Sequence, residues 1–213
     1  MTATRTTAGA TSCTISGLTA GVFYTITVTV TASPTGSASS SITAATTVLQ
    51  LAAPASLTWS AADTGYNLPV VDRVSGDQQL TVTDTTGSGA GWHVTVSATT
   101  LTTGTYTLPN AAAIVFTGST SSSASSSAPS TACVSSCTLL PTDTTTYPVS
   151  ITTAASSPAN YTVYDTAAHT GDGQITIGGS TSANPVGWWV NMPGKAHTGT
   201  YTTTLTVEVF SGP

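Results

Sequence analysis

Charge is what this chain most lacks. Only 5% of its 213 residues are Asp, Glu, Lys or Arg, against about a quarter in an ordinary soluble protein. The basic residues, Arg5, Arg73 and Lys195, are scattered through a chain of net charge −5. They cannot form a basic patch, which argues against a nucleic-acid partner and against a polybasic membrane anchor. Long apolar runs are missing too. No stretch reaches the roughly eighteen residues of a transmembrane helix, so membrane insertion is not expected. Met1 is followed by TATRTTAGA, which lacks the apolar core of a signal peptide. The rest of the composition is that of an exported protein, so the expectation is a fragment of a longer secreted product or a chain that has lost its leader.

Catalytic groups are equally scarce. His93, His169 and His197 lie far apart, and Glu208 is the single glutamate. A paired-carboxylate mechanism needs two acids in a cleft. In a strand, alternation puts Glu208 opposite the apolar face. No GxSxG elbow occurs. Gly87, Gly89 and Gly91 resemble a dinucleotide fingerprint only in spacing, because no helix follows them. Asp63, Asp72, Asp77, Asp84, Asp165 and Asp172 sit mainly in loops, where turn capping is their ordinary role, and no DxDxDG-like calcium run exists. The expectation is a protein that is not an enzyme and has no cofactor and no metal.

Three cysteines are present, Cys13, Cys133 and Cys137. CVSSC lacks the further ligands a zinc site needs. A small disulfide between Cys133 and Cys137 is the favoured reading, with a free buried pair as the alternative. The disulfide implies an oxidising, extracellular compartment. Cys13 is then left over.

Thr, Ser, Ala and Gly fill the place of charge. Thr and Val suit a pleated surface, and nothing reads as a helix of normal length. One stretch organises the chain: Leu80 to Val96, LTVTDTTGSGAGWHVTV, which reads as strand, glycine-rich turn, strand. It is echoed by ITIGGSTSANPVGWWV from Ile175 to Val190. A similar tag follows each: TTGTYTL at Thr102–Leu108 and HTGTYTT at His197–Thr203. These read as two matching halves of one β domain, each with a tryptophan just after a turn.

Period-two alternation marks further strands. Tyr24, Ile26, Val28 and Val30 share one face, and Tyr201, Thr203, Leu205, Val207 and Val209 share another. Gln79–Thr83, Ile114–Phe116, Tyr147–Thr152 and Asn160–Tyr164 also read as strands, and Ala62–Asp72 as loop. Residues 118–131 are serine-rich and too small and polar to offset their ordering entropy, so a flexible loop is expected there. Many short strands with turn signals between them predict an all-β fold, an antiparallel β-sandwich. Residues 1–48 read as a separate β unit, 49–56 as a linker or first strand, and 57–213 as the sandwich.

Two resemblances follow. CTISGLTAGVFYTITVTVTASPTGSASSSITAAT, from Cys13 to Thr46, resembles the last strands of a fibronectin type III repeat, the alternative being an ordinary β-hairpin arm. Such incomplete strands invite pairing with another chain, which allows self-assembly into a surface fibre or adhesive layer. From about Leu57 to Pro213 the chain resembles the WxL family of Gram-positive surface proteins. Its first element reads VTDTTGSGAGW, then Trp92-His93-Val94. The second matches at Tyr201, Leu205, Thr206 and Pro213. Val94 and Val209 stand where the family has Leu, and Val207 where it has Trp. The resemblance implies non-covalent attachment to the cell wall through peptidoglycan and assembly with other surface proteins, at an extracellular, cell-surface or wall location. Trp92, Trp188, Trp189 and Tyr201 are the candidate binding residues. Trp92 reads first as core, with a ligand platform as the alternative. Trp188 and Trp189 are adjacent, so one is expected in the core and the other exposed. Trp59, Tyr66, Tyr161 and Tyr164 read as packing or loop residues.

Overall fold

The computed structural model describes residues 48–61, 65–111, 113–137 and 139–213 in full, and the backbone of two earlier strands. The chain divides into two compact units, Met1–Val48 and Leu49–Pro213. In the first, β1 (Phe23–Ala32) and β2 (Gly36–Ala45) form a two-stranded antiparallel sheet, with Phe23 opposite Ala45 and Ala32 opposite Gly36. Cys13 and the side-chain faces expected for Tyr24 to Val30 lie outside the described residues.

The second unit is built from three antiparallel sheets packed together as a sandwich-like all-β fold. One runs in the order β3 (Leu49–Ala52), β5 (Gln79–Asp84), β11 (Gly173–Gly178), β8 (Thr131–Ser135). The second runs β4 (Leu68–Val71), β12 (Gly187–Met192), β7 (Ile114–Thr117), β9 (Val149–Ile151). The third runs β10 (Tyr161–Asp165), β6 (Trp92–Ala98), β13 (Leu205–Ser211). The helical content of the described residues is a single 3-10 turn at Ser75–Asp77.

The two echoing stretches occupy equivalent places. Neither is a hairpin. β5 and β11 pair with each other, Asp84 opposite Gly173 and Gln79 opposite Gly178. From this shared pair each half leaves for a different sheet, β5 leading to β6 and β11 to β12. Both second strands open on a Gly-Trp pair. Gly91 has φ +76°, and a Cβ there would meet the carbonyl oxygens of Thr166 and Ala167 at 2.9 and 3.0 Å. At Gly187 a Cβ would run into the Ser119 carbonyl. Glycine is therefore required just where each tryptophan turns inward.

Both tryptophans sink into one core with Leu80, Val82, Val94, Val96, Phe116, Ile175 and Ile177. Alternation delivers these residues: β5 buries every second side chain, Leu80, Val82 and Asp84. On β13 the expected face of Leu205, Val207 and Val209 is half-buried, and the threonine and glutamate face is exposed. The tags also meet, since Thr102 and Thr202 form an antiparallel bridge with both backbone N–H···O bonds made, at 3.0 and 2.9 Å.

Two local expectations are revised, at β4 and at Trp188–Trp189. Leu68–Val71 is strand β4, within a stretch expected to be loop. Pro69 is tolerated because β4 is an edge strand, paired with β12 alone. Thr131–Ser135, which includes Cys133, is edge strand β8. The Cys133–Cys137 disulfide is formed and closes the turn that follows it. Residues 118–130 run without strand structure, as a loop. Gly118 N–H donates to Ser127 O, Thr117 Oγ1 to Ser125 O, and Ser130 N–H to Asn184 O. The Ser119 hydroxyl accepts from the backbone N–H groups of Ser121 and Ser122, a local compensation that small polar residues provide without apolar burial. Finally, Trp188 and Trp189 are both buried. Alternation does send them to opposite faces of β12, but both faces are covered. Trp188 meets Phe116 edge-on with ring centroids 4.8 Å apart, and Trp189 packs with Val71 and Val115.

Candidate functional site

The four residues expected to bind fall in two places. Trp92, Trp188 and Trp189 lie inside the domain. Trp92 is 0% exposed, stacks on Tyr164 with centroids 5.6 Å apart, and donates its indole N–H to Gly171 O at 3.0 Å. Its backbone is tied to Thr166, whose hydroxyl accepts from Trp92 N–H at 2.7 Å and donates to Trp92 O at 2.8 Å. Trp188 donates its indole N–H to Asp77 O at 3.1 Å, and Trp189 to Ser119 O at 2.8 Å. Buried indoles require such partners, and all three have one.

The pattern is reciprocal. Trp92, from the first half, bonds the segment leading into β11 of the second. Trp188, from the second half, bonds the segment leading into β5 of the first. Each therefore locks the start of the other half's central strand. These indoles position the fold and present no ring to a ligand at the surface.

Tyr201 is different. It is half-buried, donates its hydroxyl to His197 O at 3.1 Å, and lines a cavity of about 540 Å³. The cavity's walls come from residues 57–61, from Tyr66 and Leu68 at β4, from the end of β12, and from the second tag, 196–203. Trp59 is half-buried there. Its indole N–H is held by Trp188 O at 3.0 Å, and the same carbonyl accepts Asp72 N–H at 2.9 Å. Tyr66 stands at the cavity with 80% of its surface exposed. His197 stacks face to face on Tyr106, centroids 3.8 Å apart, joining one tag to the other.

The described lining contains no Asp, Glu, Lys or Arg, and is otherwise aromatic, aliphatic, and rich in Ser and Thr hydroxyls. Lys195 lies exposed in the same loop but is not part of the wall. Behind the wall, the buried Asp72 accepts backbone N–H bonds from Thr58 and Val74. Asp77 lies beside it, and burial first, then the Asp72 carboxylate, raise the Asp77 pKa above the usual aspartate value. Among the described residues no group of three or more His, Cys, Asp or Glu is placed to hold a metal ion.

Trp59 and Tyr66, read from sequence as packing or loop residues, thus join Tyr201 at a cleft that combines aromatic and hydroxyl groups. No local signal marks them. Trp59 reaches its anchor across 129 positions of chain. Of the two family-like elements, the structure brings the strands together: β13 pairs with β6, Val209 opposite Val94 and Val207 opposite Val96.

The fold is a sandwich-like all-β domain that carries an aromatic, hydroxyl-lined cleft. The family described as WxL domain surface cell wall-binding matches residues 55–213, and the chain belongs to it. The match begins after the first unit, so the fibronectin type III likeness of residues 1–48 receives no support from it. No curated protein and no solved structure matches the chain.

Proposed function

We propose that this chain is a secreted, non-catalytic module that holds its protein on the bacterial surface by non-covalent attachment to peptidoglycan. The observation that carries the reading is the uncharged cleft bounded by Trp59, Tyr66 and Tyr201 in a domain of a surface cell wall-binding family. Concave sites with apolar walls and a few placed polar groups are the usual form of a ligand site, and the cavity falls within their typical range of about 300–1,000 Å³. An almost uncharged surface also leaves little scope for long-range electrostatic capture. Purified protein should therefore co-sediment with isolated sacculi, and do so with little dependence on salt. Protein that stays in the supernatant at every ionic strength removes this reading.

A second reading rests on the other unit. β1 and β2 form a sheet of two strands, ten residues each. Such a ribbon is marginal in water and readily accepts a further strand. A surface fibre assembled by strand pairing would show as ordered filaments in electron micrographs, and a strict monomer by sizing would count against it.

A further inference from the structure

We infer that the cleft at Trp59, Tyr66 and Tyr201 takes a neutral N-acetylated polysaccharide strand, and that neither a charged peptide nor a polyphosphate polymer is its ligand. The inference rests on the wall-attachment reading and names the chemistry of its site.

Three observations point the same way. The described lining has no Asp, Glu, Lys or Arg, so a charged ligand would give up its hydration without a carboxylate, ammonium or guanidinium partner there. Two aromatic residues, Trp59 half-buried and Tyr66 largely exposed, offer ring surface of the kind that packs on the apolar faces of sugar rings. Around them stand Thr58, Ser60, Thr198 and Thr200, and each hydroxyl both donates and accepts, as a polyol requires. Leu68 and Met192 add apolar contact of the sort an acetamido methyl group would fill.

The site is also held in shape before any ligand arrives. Trp59 is pinned through its indole N–H to Trp188 O, and Tyr201 through its hydroxyl to His197 O. Both anchors occupy the polar edge of the side chain, so neither consumes a ring face. A pre-formed cleft loses less freedom on binding than one that must be ordered.

The test is competition against sacculus binding by the full chain. Four probes are added: chitohexaose, peptidoglycan glycan strands stripped of peptide with the freed lactyl carboxylates capped as methyl amides so that the strand stays neutral, the freed stem peptides, and polyglycerol phosphate. Both saccharides should release the protein, and the two separate a general N-acetylhexosamine specificity from one for peptidoglycan strands. The Tyr66→Ala variant should bind chitohexaose at least about fivefold more weakly, the ordinary effect of truncating an anchoring aromatic. Tyr66 is 80% exposed, so the fold should be untouched. Trp59→Phe, which keeps a ring but drops the anchor to Trp188, serves as the second variant and should weaken binding with little change in Tm.

If sacculi bind but only stem peptide or polyglycerol phosphate competes, or if Tyr66→Ala and Trp59→Phe both bind chitohexaose like the wild type, the inference is overturned and wall attachment stands. If neither sacculi nor chitohexaose is bound, both fall.

Discussion

Replacing Trp92 by Phe separates folding from binding. The indole is fully buried and gives its N–H to Gly171 O. Phenylalanine keeps a ring against Tyr164 but leaves that carbonyl without its donor, at a cost of about 1–3 kcal/mol. The smaller ring also removes roughly 40 Å³ of side chain, and at about 24 cal/mol per Å³ of unfilled space this adds about 1 kcal/mol. The expected loss is thus about 2–4 kcal/mol, or a fall in Tm of roughly 4–15 °C for a unit of this size. Calorimetry and urea titration followed by circular dichroism measure it, since the substitution alters tryptophan fluorescence directly. Sacculus binding, measured well below the new Tm, should not change. A variant of nearly wild-type stability that no longer binds would refute the reasoning, because the tryptophan of the first motif would then be reaching the ligand.

Three other outcomes are expected. Thr166→Val keeps the side-chain shape but takes the acceptor from Trp92 N–H and one of two donors from Trp92 O, which keeps the Thr166 N–H. It should cost about 2–3 kcal/mol in urea unfolding. Cys133→Ser with Cys137→Ser opens a loop of sequence separation 4. Stability should fall by about 2 kcal/mol on the chain-entropy account, while chitohexaose affinity, measured by calorimetric titration, stays constant. The folded-state pKa of Asp77 is raised, so its protonation favours the fold. That contribution is fully present below the unfolded-state pKa and is lost as pH rises through the folded one. Urea midpoints between about pH 3 and pH 6 should therefore decline in the wild type relative to Asp77→Asn, which stays neutral throughout.

Much of the domain was legible in the chain itself. The lack of charge, the threonine-valine alternation and the turn spacing imply stacked pleated sheets, and the echo of Leu80–Val96 in Ile175–Val190 anticipates the equivalent placing of Trp92 and Trp188. Both follow from period-two geometry, which is local. Strand β4 was hidden because Pro69 argues against a strand until its edge position is known.

The surface role given to one of Trp188 and Trp189 failed for a related reason. Alternation fixes which face a residue takes, but whether a face meets solvent depends on what packs over it, here Val71, Val115 and the Ser119 turn. The cleft is the clearest case. Residues 57–61 and Tyr66 are distant in sequence from 196–203, and only the closing of the sheets brings Trp59 under the Trp188 carbonyl. Composition alone determined that this protein would carry little charge. Tertiary packing decided which aromatics border the cleft and which are buried, because burial is a property of neighbours supplied by other strands.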